Sequence, residues 1–197
     1  MAKRASYHHG DLRAALVDAA LELIAEQGVE SLSVAEAARR TGVSAAAPYR
    51  HFPTRLDLLT AAATRTADLL AADLREAAAR TEAPREQLAA TAAAYVRFVI
   101  RHRAGFDVIF DERLRVGDAE LARAGRAVMD VLLPIALAIT ADAAAALDLL
   151  EQHTALAHGY ATLHLSGFLN RHAPDVDGIA GRAARASRAL TAGGRTG

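Results

Sequence analysis

Four arginines, Arg39, Arg40, Arg50 and Arg55, fall between Ala37 and Leu56 with no aspartate or glutamate among them, and Lys3 and Arg4 head the chain. The formal net charge of all 197 residues is zero, so positive charge is gathered locally rather than spread over a basic surface. Such a patch suits a polyanion. Tyr49 and His51 can hydrogen-bond to phosphates, and Arg50 carries the planar fork that meets guanine O6 and N7 together. Arg55 stands where a helix begins, so its charge adds to the positive end of that helix, a natural phosphate site. Ala45, Ala46 and Ala47 follow Ser44 and cannot donate to a base, but a small methyl surface permits close approach and packs on thymine methyls.

Other chemistries find less support. His153, His158, His164 and His172 include no pair spaced three or four apart, and no Glu-x-x-His pattern occurs, so they read as core or surface histidines rather than metal ligands. Cysteine is absent, which excludes disulfides and thiolate metal sites. Neither a nucleophile motif nor a glycine-rich phosphate loop is present. The sequence therefore offers no catalytic residue, metal site or cofactor. A helical-bundle enzyme or a small-molecule binding protein with an incidental basic segment is the remote alternative.

The elements that must hold these groups are helical throughout. Just over half the residues (52%) are hydrophobic, with four Tyr, five Phe and no Trp, and no segment sustains period-two alternation. Leu12, Leu16, Ala19, Ala20, Leu23 and Ile24 follow helical spacing from Asp11 to Gln27, and Gly28 is placed to end that helix. "SVAE" predicts a capping box between Ser33 and Glu36, opening a short helix to about Thr41. Gly42 then permits the left-handed turn of a helix-turn-helix, and Ser44 reads as the N-cap of a third helix through about His51. Pro48, the fourth residue of that helix, forfeits only its first internal bond. Thr54 with Asp57 caps a long helix from about Arg55 to Ala79.

Further along, Pro84 starts a helix with Leu88, Ala92, Tyr95 and Val99 on one face. A broken region comes next, with a short helix at Phe106 to Phe110. The stripe from Leu121 to Ile139 forms a helix that Pro134 should kink. Another runs from about Asp142 to Asn170, and the last carries Val176, Ile179, Ala183, Ser187 and Leu190 on one face. The expected division is a helix-turn-helix domain with a basic arm over 1–54, a helical effector and dimerisation domain over 55–192, and a disordered tail over 193–197. The basic N-terminus lacks an apolar run, so it is not a secretory signal. The greasiest stretch, "AVMDVLLPIALAI", carries Asp130 and Pro134 and is too short to span a bilayer, which points to a cytoplasmic protein without membrane contact.

Residues 8–59 resemble the DNA-binding domain of the TetR family of bacterial transcriptional regulators. Gly28, the Ser33 cap, "AARRTGVS", "YRHF" and the trailing Leu58-Leu59 carry the resemblance together. It implies phosphate contacts at Tyr49, His51 and Arg55, although the family more often has lysine at Arg55 and threonine-leucine at Ala47-Pro48. "TALAHGYATLHLSG" resembles a subgroup with a tryptophan followed by a His-Gly pair: His158 and Gly159 match, and Thr154 takes the tryptophan position. The implied protein is a homodimer that represses from a pseudo-palindromic double-stranded DNA operator and answers to a small, largely apolar effector. An activator, or a weakly sequence-specific DNA-binding protein, is the alternative.

For the effector pocket the candidates are the aromatics Phe98, Phe106, Phe110 and Tyr160, although aromatics at helical spacing are more often simply core. Val128, Leu132, His153 and Leu156 accompany them. Gly159, Leu163 and Gly167, with Ile179, Ala183, Ser187 and Leu190, form the candidate dimer surface, where small residues let helices approach closely.

Overall fold

The computed structural model describes residues 9–102, 114, 118–169 and 175–192. Among them are seven α-helices and no strand: α1 His9–Gln27, α2 Val34–Arg40, α3 Arg55–Ala78, α4 Pro84–His102, α5 Ala119–Leu137, α6 Ala143–Leu165 and α7 Val176–Ala192. Two short 3-10 helices, Val29–Ser31 and Pro48–Arg50, sit in the connections. The chain divides into two compact units, with boundaries inside α3 after Thr66 and inside α5 after Ala122. The expected short helix at Phe106 to Phe110 lies outside the described residues, as do Lys3, Arg4 and the tail.

The first unit is built on α1, α2 and the first turns of α3. Leu16, Leu23, Ile24, Val34, Ala37, Phe52, Leu58 and Leu59 are buried in one cluster, joined by Leu114. α1 stops because Gly28 adopts φ 84°, ψ 164°, a region essentially reserved for glycine. At the start of α2 the Ser33 hydroxyl accepts the Glu36 amide at 3.4 Å. The reciprocal half of the expected capping box is replaced, since the Glu36 carboxylate turns to Arg39. α3 has the full reciprocal cap: the Thr54 amide donates to Asp57 Oδ2 at 2.8 Å and the Asp57 amide to Thr54 Oγ1 at 3.2 Å.

In the second unit α4 packs on both α6 and α7, most extensively on α7. Leu88, Ala89, Ala92 and Val96 of α4 and Ile179, Ala180, Ala183 and Ala184 of α7 are buried, a core of mostly small side chains that lets the packed helix axes approach closely. Ion pairs between the early residue Glu86 and the late Arg188, and between the late Arg97 and the early Asp177, belong to antiparallel helices. Asp142 caps α6 by accepting the Ala145 amide at 2.9 Å. α6 ends at Leu165, short of the expected Asn170, where Gly167 turns to φ 81°. Pro134 lies within α5, and the helix continues past it to Leu137.

One expectation for this unit is corrected. The face of α7 bearing Ile179, Ala183 and Ser187 does not wait for a second copy; all three are fully buried within the chain's own core. Periodicity identifies a buried face without saying what buries it.

Candidate nucleic-acid interface

α2 closes in a Schellman motif. The Gly42 amide donates to the Arg39 carbonyl and the Val43 amide to the Ala38 carbonyl, both at 3.2 Å, with Gly42 at φ 70°. Satisfying the last carbonyls of α2 in this way fixes the direction in which the chain leaves it.

The expected α-helix from Ser44 to His51 does not form. Ala45 and Ala46 make a turn, and a 3-10 helix covers Pro48–Arg50. Pro48 is the cause. In an α-helix its N–H would reach the Ser44 carbonyl, but proline has none, and the Ala47 amide takes that carbonyl one residue early, at 3.0 Å. The amides of His51 and Phe52 both then bond the Pro48 carbonyl at 2.9 Å. Pro48 and Phe52 are buried, whereas Ser44, Ala45, Ala46, Tyr49 and Arg50 are exposed and form one ridge. Ala47 and His51 are half-buried at its base.

The four arginines of this stretch separate into two kinds. Arg39 makes two 2.7 Å bonds to the Glu36 carboxylate. Arg40 holds Glu26 through bonds of 2.9 and 2.6 Å and touches Glu36 at 3.5 Å. These guanidinium hydrogen bonds hold both carboxyls below their usual range. Arg55 Nε donates to the Leu32 carbonyl at 2.9 Å and its Nη2 to the Val29 carbonyl at 2.6 Å, with Glu30 at 3.7 Å. Among the described residues Arg50 alone of the four has no ion pair or side-chain hydrogen bond. An acid-free stretch of sequence has thus acquired acids from α1, from the 3-10 turn and from within α2. The Glu36, Arg39, Arg40 spacing announced part of this; the Glu26 and Glu30 contacts needed the fold.

In the second unit, a groove of about 840 Å³ has a floor of Ala90, Ala93, Ala94, Gly181 and Ala184 and a rim that includes Arg97, Arg101, Arg185 and Arg188. Among the described residues, none of those expected from sequence to form a pocket lines it. Phe98 is buried with its ring 4.5 Å from that of His102, and Leu132 is buried in the core. Val128, Leu156 and Tyr160 are half-buried, while Phe106 and Phe110 lie outside the described residues.

His153 is a core histidine. Its Nε2 lies 3.3 Å from Thr91 Oγ1 and its Nδ1 lies 3.1 Å from Ser187 Oγ. Thr91 spends its own proton on the Leu88 carbonyl at 2.8 Å, so it accepts from Nε2–H, and Ser187 donates to Nδ1. Burial lowers the pKa of this neutral ring to about 4. Among the described residues no group of three or more His, Asp or Glu could hold a metal ion, and no helix is long and apolar enough to cross a membrane.

Comparison with known proteins supplies the context for this geometry. Residues 16–62 match the family model for bacterial regulatory proteins of the tetR family, and residues 88–187 match the tetracyclin repressor-like C-terminal domain. The HTH-type transcriptional activator FasR of Mycolicibacterium smegmatis is 32% identical over 99 residues, which is 50% of this chain and 45% of that protein. The HTH-type transcriptional regulator BetI of Brucella anthropi is 37% identical over 78 residues, 40% of each. The chain thus spans less than half the length of these curated relatives. A solved Rhodococcus sp. RHA1 protein of unknown function is 31% identical with a TM-score of 0.78, covering 94% of this chain and 98% of that one. A TetR variant from Acinetobacter baumannii in complex with minocycline shares the fold at 22% identity and TM-score 0.60, with 95% and 96% covered.

Proposed function

The chain belongs to the TetR family of bacterial DNA-binding transcriptional regulators, and from that premise we propose a cytoplasmic, homodimeric repressor that releases its operator when a small molecule binds. The observation that carries the DNA-reading part is the exposed ridge of Ser44, Ala45, Ala46, Tyr49 and Arg50, on which Arg50 is the unpaired cation. Tyr49 and His51 meet phosphates, Arg50 reads a guanine edge, and the alanines let the backbone approach the groove floor. Lys3 and Arg4 supply a basic arm. Contacts of this kind supply no chemistry for turnover, so the role is binding rather than catalysis.

Two subunits would place their ridges in successive major grooves of a pseudo-palindrome. The exposed apolar residues Leu163 and Phe168, near Gly159 and Gly167, support an isologous surface at the C-terminal end of α6. Effector binding in the second unit would lower operator affinity by the coupling free energy between the two sites. A second reading, activation, is favoured by the name of the M. smegmatis relative and uses the same ridge.

The deciding experiment is a salt-controlled titration of the protein against duplex DNA from upstream of its own gene, with scrambled duplex as competitor. Binding that survives the competitor is expected. A protein displaced equally by scrambled duplex there and from genome-wide selected fragments would not be a sequence-specific regulator.

A further inference from the structure

Arg55 is the first residue of α3, and the family resemblance gives that position a phosphate contact. Its side chain is engaged elsewhere. The guanidinium spans 23 to 26 residues of sequence to place Nε on the Leu32 carbonyl at 2.9 Å and Nη2 on the Val29 carbonyl at 2.6 Å. Both acceptors belong to the short connection between α1 and α2, and the Leu32 peptide leads straight into Ser33, the N-cap of α2. From that cap, α2 and its Schellman turn lead to the exposed ridge. The Glu30 carboxylate, 3.7 Å from Nη2, adds negative charge where a phosphate would have to approach.

We propose that Arg55 is a positioning residue for DNA reading: it clamps the entry of α2 to the start of α3, and so aims the ridge, instead of contacting the backbone of DNA. The inference rests on the ridge being the DNA-reading surface. A guanidinium suits the role because its planar fork serves two fixed acceptors at once, which the single ammonium of lysine cannot reproduce in the same geometry. To reach a phosphate, Arg55 would have to leave two charge-assisted bonds and strand the Leu32 carbonyl, while the Val29 carbonyl would keep only the Leu32 amide.

Arg55→Lys separates the two roles, since it keeps the charge and loses the fork. Amide exchange at Ser31, Leu32 and Ala37 reads the clamp without DNA, and titration against the upstream duplex at several salt concentrations reads the contact. Expected for Arg55→Lys and Arg55→Ala alike are exchange at those amides faster by roughly tenfold and weaker binding, with the slope of log affinity against log salt unchanged. The proposal is overturned if Arg55→Lys matches the wild type in exchange and affinity while Arg55→Ala binds with a slope smaller by about one, the signature of a lost phosphate contact. If Arg55→Ala does not fold, Arg55→Lys decides alone. Wild-type binding without sequence preference would count against the ridge reading, whereas unchanged exchange in Arg55→Lys counts against the clamp whatever the DNA result.

Discussion

A guanidinium can serve DNA only if nothing inside the protein has already engaged it. By that criterion Arg39, Arg40 and Arg55 are engaged within the first unit, and of the four Arg50 is the one left available for the base contact proposed above. Arg50→Ala should therefore weaken binding to the preferred duplex by about 1–3 kcal/mol and flatten the preference over scrambled DNA. Tyr49 is 49% exposed, and as the phosphate contact proposed above it would carry no sequence information, so Tyr49→Phe should lower affinity for both duplexes by the same factor. Competition titrations on the two variants check both expectations. Equal losses on both duplexes for Arg50→Ala would move that residue to the backbone class. The residue scale is where sequence reading was least complete. The types and spacing of Tyr49, Arg50 and His51 were enough to nominate a polyanion site, but ion pairing depends on acids from α1 that are distant in the chain. No local pattern reveals that Glu26 lies beside Arg40.

At the scale of elements most of the fold was legible, because its signals are local. Gly28, the Thr54 cap with Asp57, and Pro84 each act within a turn of the helix end they set. The misreading at Ser44 to His51 came from treating Pro48 as a minor loss inside a helix, when the carbonyl it leaves open is taken by Ala47 and the backbone tightens to 3-10. Restoring a donor tests this: in Pro48→Ala the new amide at position 48 should become protected by the Ser44 carbonyl, and Cα chemical shifts over residues 45–51 should turn helical. Persisting 3-10 shifts would place the cause in the packing around Phe52. The α4, α6, α7 core yields a second expectation. His153 is 3% exposed and held neutral between Thr91 and Ser187, with its pKa lowered from 6.5 to about 4. The unfolded chain takes up the proton below pH 6.5 and the folded chain resists until about pH 4, so the contribution is whole above 6.5 and is lost as pH falls towards 4. The loss amounts to at most about 3 kcal/mol. Denaturant titrations across that range should show this slope in the wild type and not in His153→Gln.

At the scale of the whole molecule, zero net charge leaves little long-range repulsion between copies and confines steering towards DNA to the local basic segment. Association must then come from contact surfaces. Small residues misled the sequence reading here, for the alanine face of α7 looked made for a partner helix and is occupied by α4. Among the apolar side chains left in solvent, Leu163 at 43% exposure, Leu165 and Phe168 at 74% cluster at the end of α6, with Gly159 offering open space where a side chain would stand. Exposed leucine and phenylalanine beside small residues are a liability in a monomer and an asset at an isologous contact. Leu163→Arg places a charge in each half of such a contact, and twofold symmetry would set the two charges close together. The variant should sediment as a monomer at concentrations where the wild type is a dimer, and its melting temperature at high dilution should stay close to that of the wild type, because Leu163 is not one of the buried core residues. Operator affinity should fall by about 100-fold or more, since the second half-site no longer gains from the first. A Leu163→Arg protein that remains dimeric would move the interface away from this end of α6.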